Sequence, residues 1–296
     1  MRTTEKRMST GPAGGEEVDE PPATSVKVPT GPTEEATLAG PKGAIGISLP
    51  FAETSRLDET VDGTPVFDNS NGSSTVPVVK EDGSLQINTV LENSQAPKEY
   101  SYRLNIPEGA EISEIDGSVL VMLDGNLVGG LSPAWAKDSN GNDVPTHYKV
   151  VGGNEVVQVV EHDSSFTYPI VADPWLGAML FHDFSTNRKG AVGGKPVYSA
   201  ALTVWGWHVY LGVAPPFSPG APNPGIGNRI IRTVGWQEWK SKLVGSNPHP
   251  TLEQQYACHV LAGYDAWHAG LHWDLELSRP SKPDWKSDIF SHKCNW

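Results

Sequence analysis

Tyr100-Ser101-Tyr102-Arg103-Leu104-Asn105-Ile106 alternates apolar and polar side chains over seven residues. A period of two sets Tyr100, Tyr102, Leu104 and Ile106 on one face of an extended chain and the polar residues on the other. That is the pattern of a strand with one buried face. Residues 44–49, 84–90, 117–123, 148–151, 155–160 and 166–171 repeat it. Turn dipeptides Asn71-Gly72, Asp82-Gly83, Asp124-Gly125 and Asn140-Gly141 punctuate the runs. No helical periodicity of useful length interrupts them. The spacing predicts an all-β antiparallel sandwich over residues 42–174.

Upstream the texture changes. Residues 1–41 hold six Pro, seven acidic residues and almost no large apolar side chain. Such a segment buries too little to offset its ordering entropy, and reads as a disordered Pro/Gly/acidic tail. Downstream, Ala172-Asp173-Pro174-Trp175 closes the sandwich. Residues 1–174 carry 27 acidic and 11 basic side chains, a net −16, whereas residues 175–296 carry 8 and 11, a net +3. Nine of the ten Trp and seven of the nine His also follow Asp173. A joint shift of charge and aromatics marks a domain boundary, so residues 175–296 form a second, Trp/His-rich domain.

The acidic front half would repel phosphate and argues against a nucleic-acid partner. The mildly basic back half is compatible with an anionic wall or a membrane surface. No apolar run approaches the length that spans a bilayer.

Within the back half, 196–213 is β-branched and aromatic and reads as one long or two short strands. Residues 214–227 hold eight Pro or Gly in fourteen positions and form a long loop. Residues 230–234 read as a strand, and 236–243 fit strand or helix. Residues 252–269 form the clearest helix, with Thr251 as N-cap, Gln254 completing a capping box and Gly270 as the stop. Tyr256, Val260, Tyr264 and Trp267 share its apolar face, flanked by Ala257 and Leu261. The domain is therefore a small α+β fold.

Cys258 lies at the edge of that helix, and Cys294 in the last three residues. A bridge between them would tie down a chain end and implies an oxidising compartment. The basic start Met1–Met8 is followed by no apolar signal core, so a secreted or cell-surface location rests on the cysteines and on the resemblance described below.

Residues 271–280 alternate strictly before Pro280. Leu271, Trp273, Leu275 and Leu277 point one way, and His272, Asp274, Glu276 and Ser278 the other. An imidazole and two carboxylates about 7 Å apart along one strand face are candidates for acid–base chemistry. The plain alternative is the wet face of a half-buried strand. Trp205, Trp207, His208, Trp236 and Trp239 are candidate binding residues, since nine Trp in this domain exceed what a core of its size needs. The competing reading is that large rings fill that core. His182-Asp183 and His208 lie among aromatics and read first as core or rim residues. Gly270 separates His268 from His272, and the cysteines are spaced for a disulfide, so neither a metal nor a cofactor is expected. No Gly-x-Ser-x-Gly elbow and no phosphate-cradling Gly loop occurs.

The residues also carry a resemblance. Gly235-Trp236-Gln237-Glu238, Gln255-Tyr256-Ala257-Cys258-His259, Trp273-Asp274-Leu275-Glu276 with Arg279-Pro280, and Cys294-Asn295 look like the landmarks of a C-terminal domain of unknown function from secreted actinobacterial proteins. The front half, through Ala134–Asp138, Val144–Tyr148 and Tyr168-Pro169-Ile170-Val171-Ala172-Asp173-Pro174, resembles a β module that precedes varied C-terminal domains in exported proteins. The resemblance implies secretion and a carrier or prodomain role for the front half. It brings no catalytic residue with it. Three readings follow: a carrier presenting an effector or binding domain to a cell-envelope glycan, membrane surface or target protein; a secreted hydrolase using His272, Asp274 and Glu276; and a structural surface protein.

Overall fold

The computed structural model describes residues 24–211, 227–266, 272–294 and 296. The chain divides into two compact units, Met1–Ala178 and Met179–Trp296.

In the front unit, the Glu99–Asn105 strand buries Tyr100, Tyr102 and Leu104 and exposes the residues between them. It lies inside a six-stranded sheet ordered Ser25–Lys27, Ala36–Gly40, Gly43–Ile47, Glu99–Asn105, Glu155–Val160, Thr146–Val151, every pairing antiparallel. A ten-stranded sheet runs from Arg56–Val61 through Thr64–Asp68, Ser73–Val79, Leu85–Leu91, Trp175–Gly177, Asn126–Leu131 and Ser118–Leu123 to Glu111–Ile115. Ile170–Ala172 and Ala136–Lys137 attach beside Leu85–Leu91. Leu38, Ile45 and Tyr102 of the first sheet share one core with Leu85, Ile87 and Val119 of the second, giving a sandwich-like packing. Asp124 (φ 49°) and Gly125 (φ 72°) make the tight turn that their sequence announces.

Both edges of the expected sandwich move. Residues 25–40 are not tail: Val26, Ala36 and Leu38 are buried, and their strands extend the six-stranded sheet. Apolar residues at spacing two outweigh the Pro and acidic content around them. Residues 1–23 lie outside the described residues. At the other edge, Trp175 belongs to the front unit, fully buried, with its Nε1–H donating to Ser84 Oγ at 2.7 Å. The run expected at 166–171 pairs only from Ile170 onward.

The back unit is built on a three-stranded antiparallel sheet with Val197–Leu202 central, Phe181–Thr186 on one side and Trp273–Glu276 on the other. Its helices are Val204–Leu211, a helical run from Asn228 to Val244 containing two π-turns, and Pro250–Ala266. Residues 204–211 are thus helix rather than strand. Thr203 supplies the cap, its Oγ1 accepting the Gly206 N–H at 2.8 Å. Residues 230–234 are helical too, although β-branched. Gly235 lets this run close on its neighbours, since a Cβ there would stand 2.4 Å from the Tyr256 hydroxyl and 2.9 Å from the Phe181 ring. Helix 250–266 begins one residue before the expected cap. Pro250 suits a first helical position, His249 Nδ1 accepts the Thr251 N–H at 3.3 Å, and the Thr251 hydroxyl instead donates to the Pro280 carbonyl. Tyr256, Ala257 and Val260 face the core, but Leu261 is exposed. Gly270, Leu271 and the side chains of Tyr264 and Trp267 lie outside the described residues.

Cys258 and Cys294 form the expected disulfide, with Cα atoms 5.5 Å apart. Among the described residues no helix is long and apolar enough to cross a membrane. The disulfide is compatible with an extracellular setting.

Candidate functional site

The strand Trp273–Glu276 buries Trp273 and Leu275 and leaves Asp274 and Glu276 half-buried, with His272 half-buried just before it. The expected row is therefore on one face. The register across the sheet decides what it meets. Ser185, Ser199 and Asp274 lie opposite one another on the three strands. One step of two residues further along the central strand, His182 pairs with Ala201, and His272 lies just beyond the last pair on the other side, Ala200 with Trp273. Ala201 is small, so two imidazoles on the outer strands have room above it.

Asp183 joins them. Its Oδ2 is 3.1 Å from His182 Nδ1 and 3.6 Å from His272 Nε2. The side chains of His272, His182 and Asp183 are 12%, 32% and 44% exposed, so the cluster is enclosed at His272 and open at Asp183. Asp183 holds a left-handed φ of 53° at the irregularity between His182 and Ser185. Asp tolerates that conformation better than most residues, and there its side chain lies on the two-histidine face. Both facing imidazole nitrogens are buried without a formed hydrogen bond, and their contact with the carboxylate is electrostatic. Catalytic contacts are often this loose before a substrate tightens them. Desolvation lowers the proton affinity of His272, Arg188 adds to that effect, and Asp183 opposes it.

The rest of the row is held by neighbours. Asp274 accepts from Ser199 Oγ at 2.5 Å and pairs with Lys189 Nζ at 3.2 Å. Glu276 pairs with Arg279 at 2.6 Å, and its backbone N–H and carbonyl are both bonded to the Gln255 amide. Glu276 is a structural member of the row. No group of three or more His, Cys, Asp or Glu placed to hold a metal ion occurs among the described residues.

Behind the sheet lies the aromatic core. Phe181, Tyr256 and Trp273 meet edge-on or tilted at 5.3–6.1 Å between ring centroids. Trp239 joins Phe181 at 5.8 Å, and Trp236 lies 4.9 Å from Tyr256. All five aromatic binding candidates, Trp205, Trp207, His208, Trp236 and Trp239, are buried. The rings pack in the core beside aliphatic side chains such as Leu202, Val209, Ile230 and Leu275, and present no open faces for stacking. His259 stacks on Trp273 at 5.4 Å, on the reverse side from the row, where burial lowers it to about 4. Burial lowers His208 to about 3.

Glu238 connects this core to the site. Its carboxylate oxygens accept the N–H groups of Leu180 (3.1 Å) and Phe181 (3.5 Å), at the start of the strand that carries His182 and Asp183. Desolvation pushes Glu238 up to about 8. Sequence reading missed Asp183, Ser199 and Lys189 as partners of the row. The signal available was the His182-Asp183 pair itself, whose rim reading lacked only the register that sets it beside His272.

No protein-family model, curated protein or solved structure matches this chain.

Proposed function

We propose that the back unit is a secreted hydrolytic effector working by acid–base catalysis at His182, Asp183 and His272, with the front unit as its carrier. The observation that carries this reading is the single carboxylate, Asp183, within 3.1 and 3.6 Å of two imidazoles from the two outer strands. The carboxylate orients both rings toward one another and offsets positive charge that develops on either during proton transfer. One ring is free to accept while the other donates, which is what hydrolysis without a covalent intermediate requires. The enclosed, desolvated His272 is the base, and the more open His182 is the acid.

Asp274 and Glu276 take supporting roles in place of the chemistry first expected of them. Glycan stacking through the five candidate rings loses its support, because all are buried. The carrier role, the secreted location and the cell-envelope setting rest on the resemblance and on the disulfide.

The test is hydrolysis of chromogenic esters by the full chain. His182→Gln and His272→Gln are each expected to lose about 100-fold or more, the usual contribution of one general acid or base. Glu276→Gln is expected to retain turnover. Wild-type rates in both histidine variants would sink the proposal, as would failure of the wild type to cleave any ester.

A further inference from the structure

We infer that the substrate of this site is a phosphodiester monoanion, bound by Arg188 and Lys189 on the loop that joins the first two strands. The inference rests on the acid–base reading above and names what that chemistry acts on.

The loop follows the strand Phe181–Thr186, and it is fixed at its base. Asn187 donates its N–H to the Val197 carbonyl at 2.7 Å and accepts the Val197 N–H on its side-chain oxygen at 3.0 Å. Gly190 N–H closes a turn onto the Asn187 carbonyl at 2.8 Å. Arg188 and Lys189 follow directly on the anchored Asn187. Lys189 Nζ reaches Asp274 at 3.2 Å, and Arg188 acts electrostatically on His272. Both basic residues are exposed and can turn onto a ligand.

Charge decides the ligand class. With His182 carrying the proton it gives as the acid of that reading, the site counts Arg188, Lys189 and one imidazolium against Asp183 and Asp274, leaving one unit of positive charge. That balance suits a monoanion, whereas a phosphomonoester dianion would meet two carboxylates with too few cations. A carboxylic ester is neutral and would draw nothing from the basic loop. Each imidazole turns one nitrogen toward Asp183, which leaves Nε2 of His182 and Nδ1 of His272 for substrate. Arg and Lys are the usual partners of non-bridging phosphoryl oxygens, Arg through paired donors.

The step balances without a co-reactant other than water. His272 takes a proton from water as the water oxygen bonds to phosphorus. The bond from phosphorus to the leaving oxygen breaks, and His182 gives that oxygen its proton. A monoester and an alcohol leave, and solvent returns the imidazoles to their starting states.

The experiment compares bis(4-nitrophenyl) phosphate, 4-nitrophenyl phosphate and 4-nitrophenyl acetate with the full chain, wild type and Arg188→Gln/Lys189→Gln. The diester is expected to be cleaved faster than the monoester. The double variant should lose about tenfold or more in kcat/KM on the diester, the scale of a charge-assisted hydrogen bond, and less on the neutral acetate. Histidine-dependent cleavage of the acetate without cleavage of the diester would overturn the phosphodiester assignment and leave the acid–base reading standing. Equal or faster cleavage of the monoester would overturn the charge argument. Cleavage of none of the three would overturn both.

Discussion

Glu238 shows how a single side chain ties the aromatic core to the site, and it carries a pH consequence. An unfolded Glu loses its proton near 4.5, whereas burial holds the folded one to about 8. Between those values the folded state binds the extra proton, so stability falls as pH rises from 4.5 to 8 and levels off above. Glu238→Gln keeps an oxygen for the N–H groups of Leu180 and Phe181 but removes the titration. Urea midpoints at pH 5 and pH 8 should show the wild type losing stability relative to the variant; parallel changes would refute the assignment. His208 and His259 have the opposite sign. Their folded values near 3 and 4 lie below the ordinary 6.5, so their contribution is present above pH 6.5 and fades as pH falls toward 4. Both are present in wild type and variant alike, so the comparison isolates Glu238. At this scale the sequence was half legible. The aromatic neighbours of His208 signalled burial correctly. Nothing local to His182-Asp183 revealed the left-handed turn that brings Asp183 to two histidines.

At the scale of elements, alternation could be read and register could not. Residues 100–106 and 272–276 show which side chains share a face, because that follows from the two-residue period alone. Which strand lies beside them depends on distant chain segments, so Ser199 opposite Asp274 was invisible. The Val204–Leu211 helix read as strand for a related reason. Seven of its eight residues are buried, so it has no polar face and hence no 3.6-residue pattern to find. The Cys258–Cys294 bridge was foreseeable from the terminal position of Cys294. It closes a sequence separation of 36 residues and fastens the C-terminal segment to helix 250–266, where Trp285 packs beside both cysteines. Loop-closure entropy puts its contribution at about 4 kcal/mol. Cys258→Ala/Cys294→Ala should lose stability on that scale in urea titrations. A loss below ~1 kcal/mol would show that the packing of Trp285 and the bond from Trp296 Nε1–H to the Pro280 carbonyl hold the segment without the bridge.

For the whole molecule, the coarse architecture was legible and its edges were not. Strand texture and turn dipeptides announced the sheets of the front unit. The edges moved because Trp175 and residues 25–40 are assigned by burial, which composition does not report. The central claim is that the back unit performs acid–base chemistry through one carboxylate shared by two histidines. Its most direct test is the pH–rate profile of ester hydrolysis by the full chain, beside that of Asp183→Asn. The wild type should give a bell, with the acid limb set by His272 as base. Asp183 raises the proton affinity of His272, so its removal leaves that base neutral at lower pH. The acid limb of Asp183→Asn should therefore move to lower pH while the maximum rate falls. A flat wild-type profile, or an acid limb that stays in place in Asp183→Asn, would contradict the account.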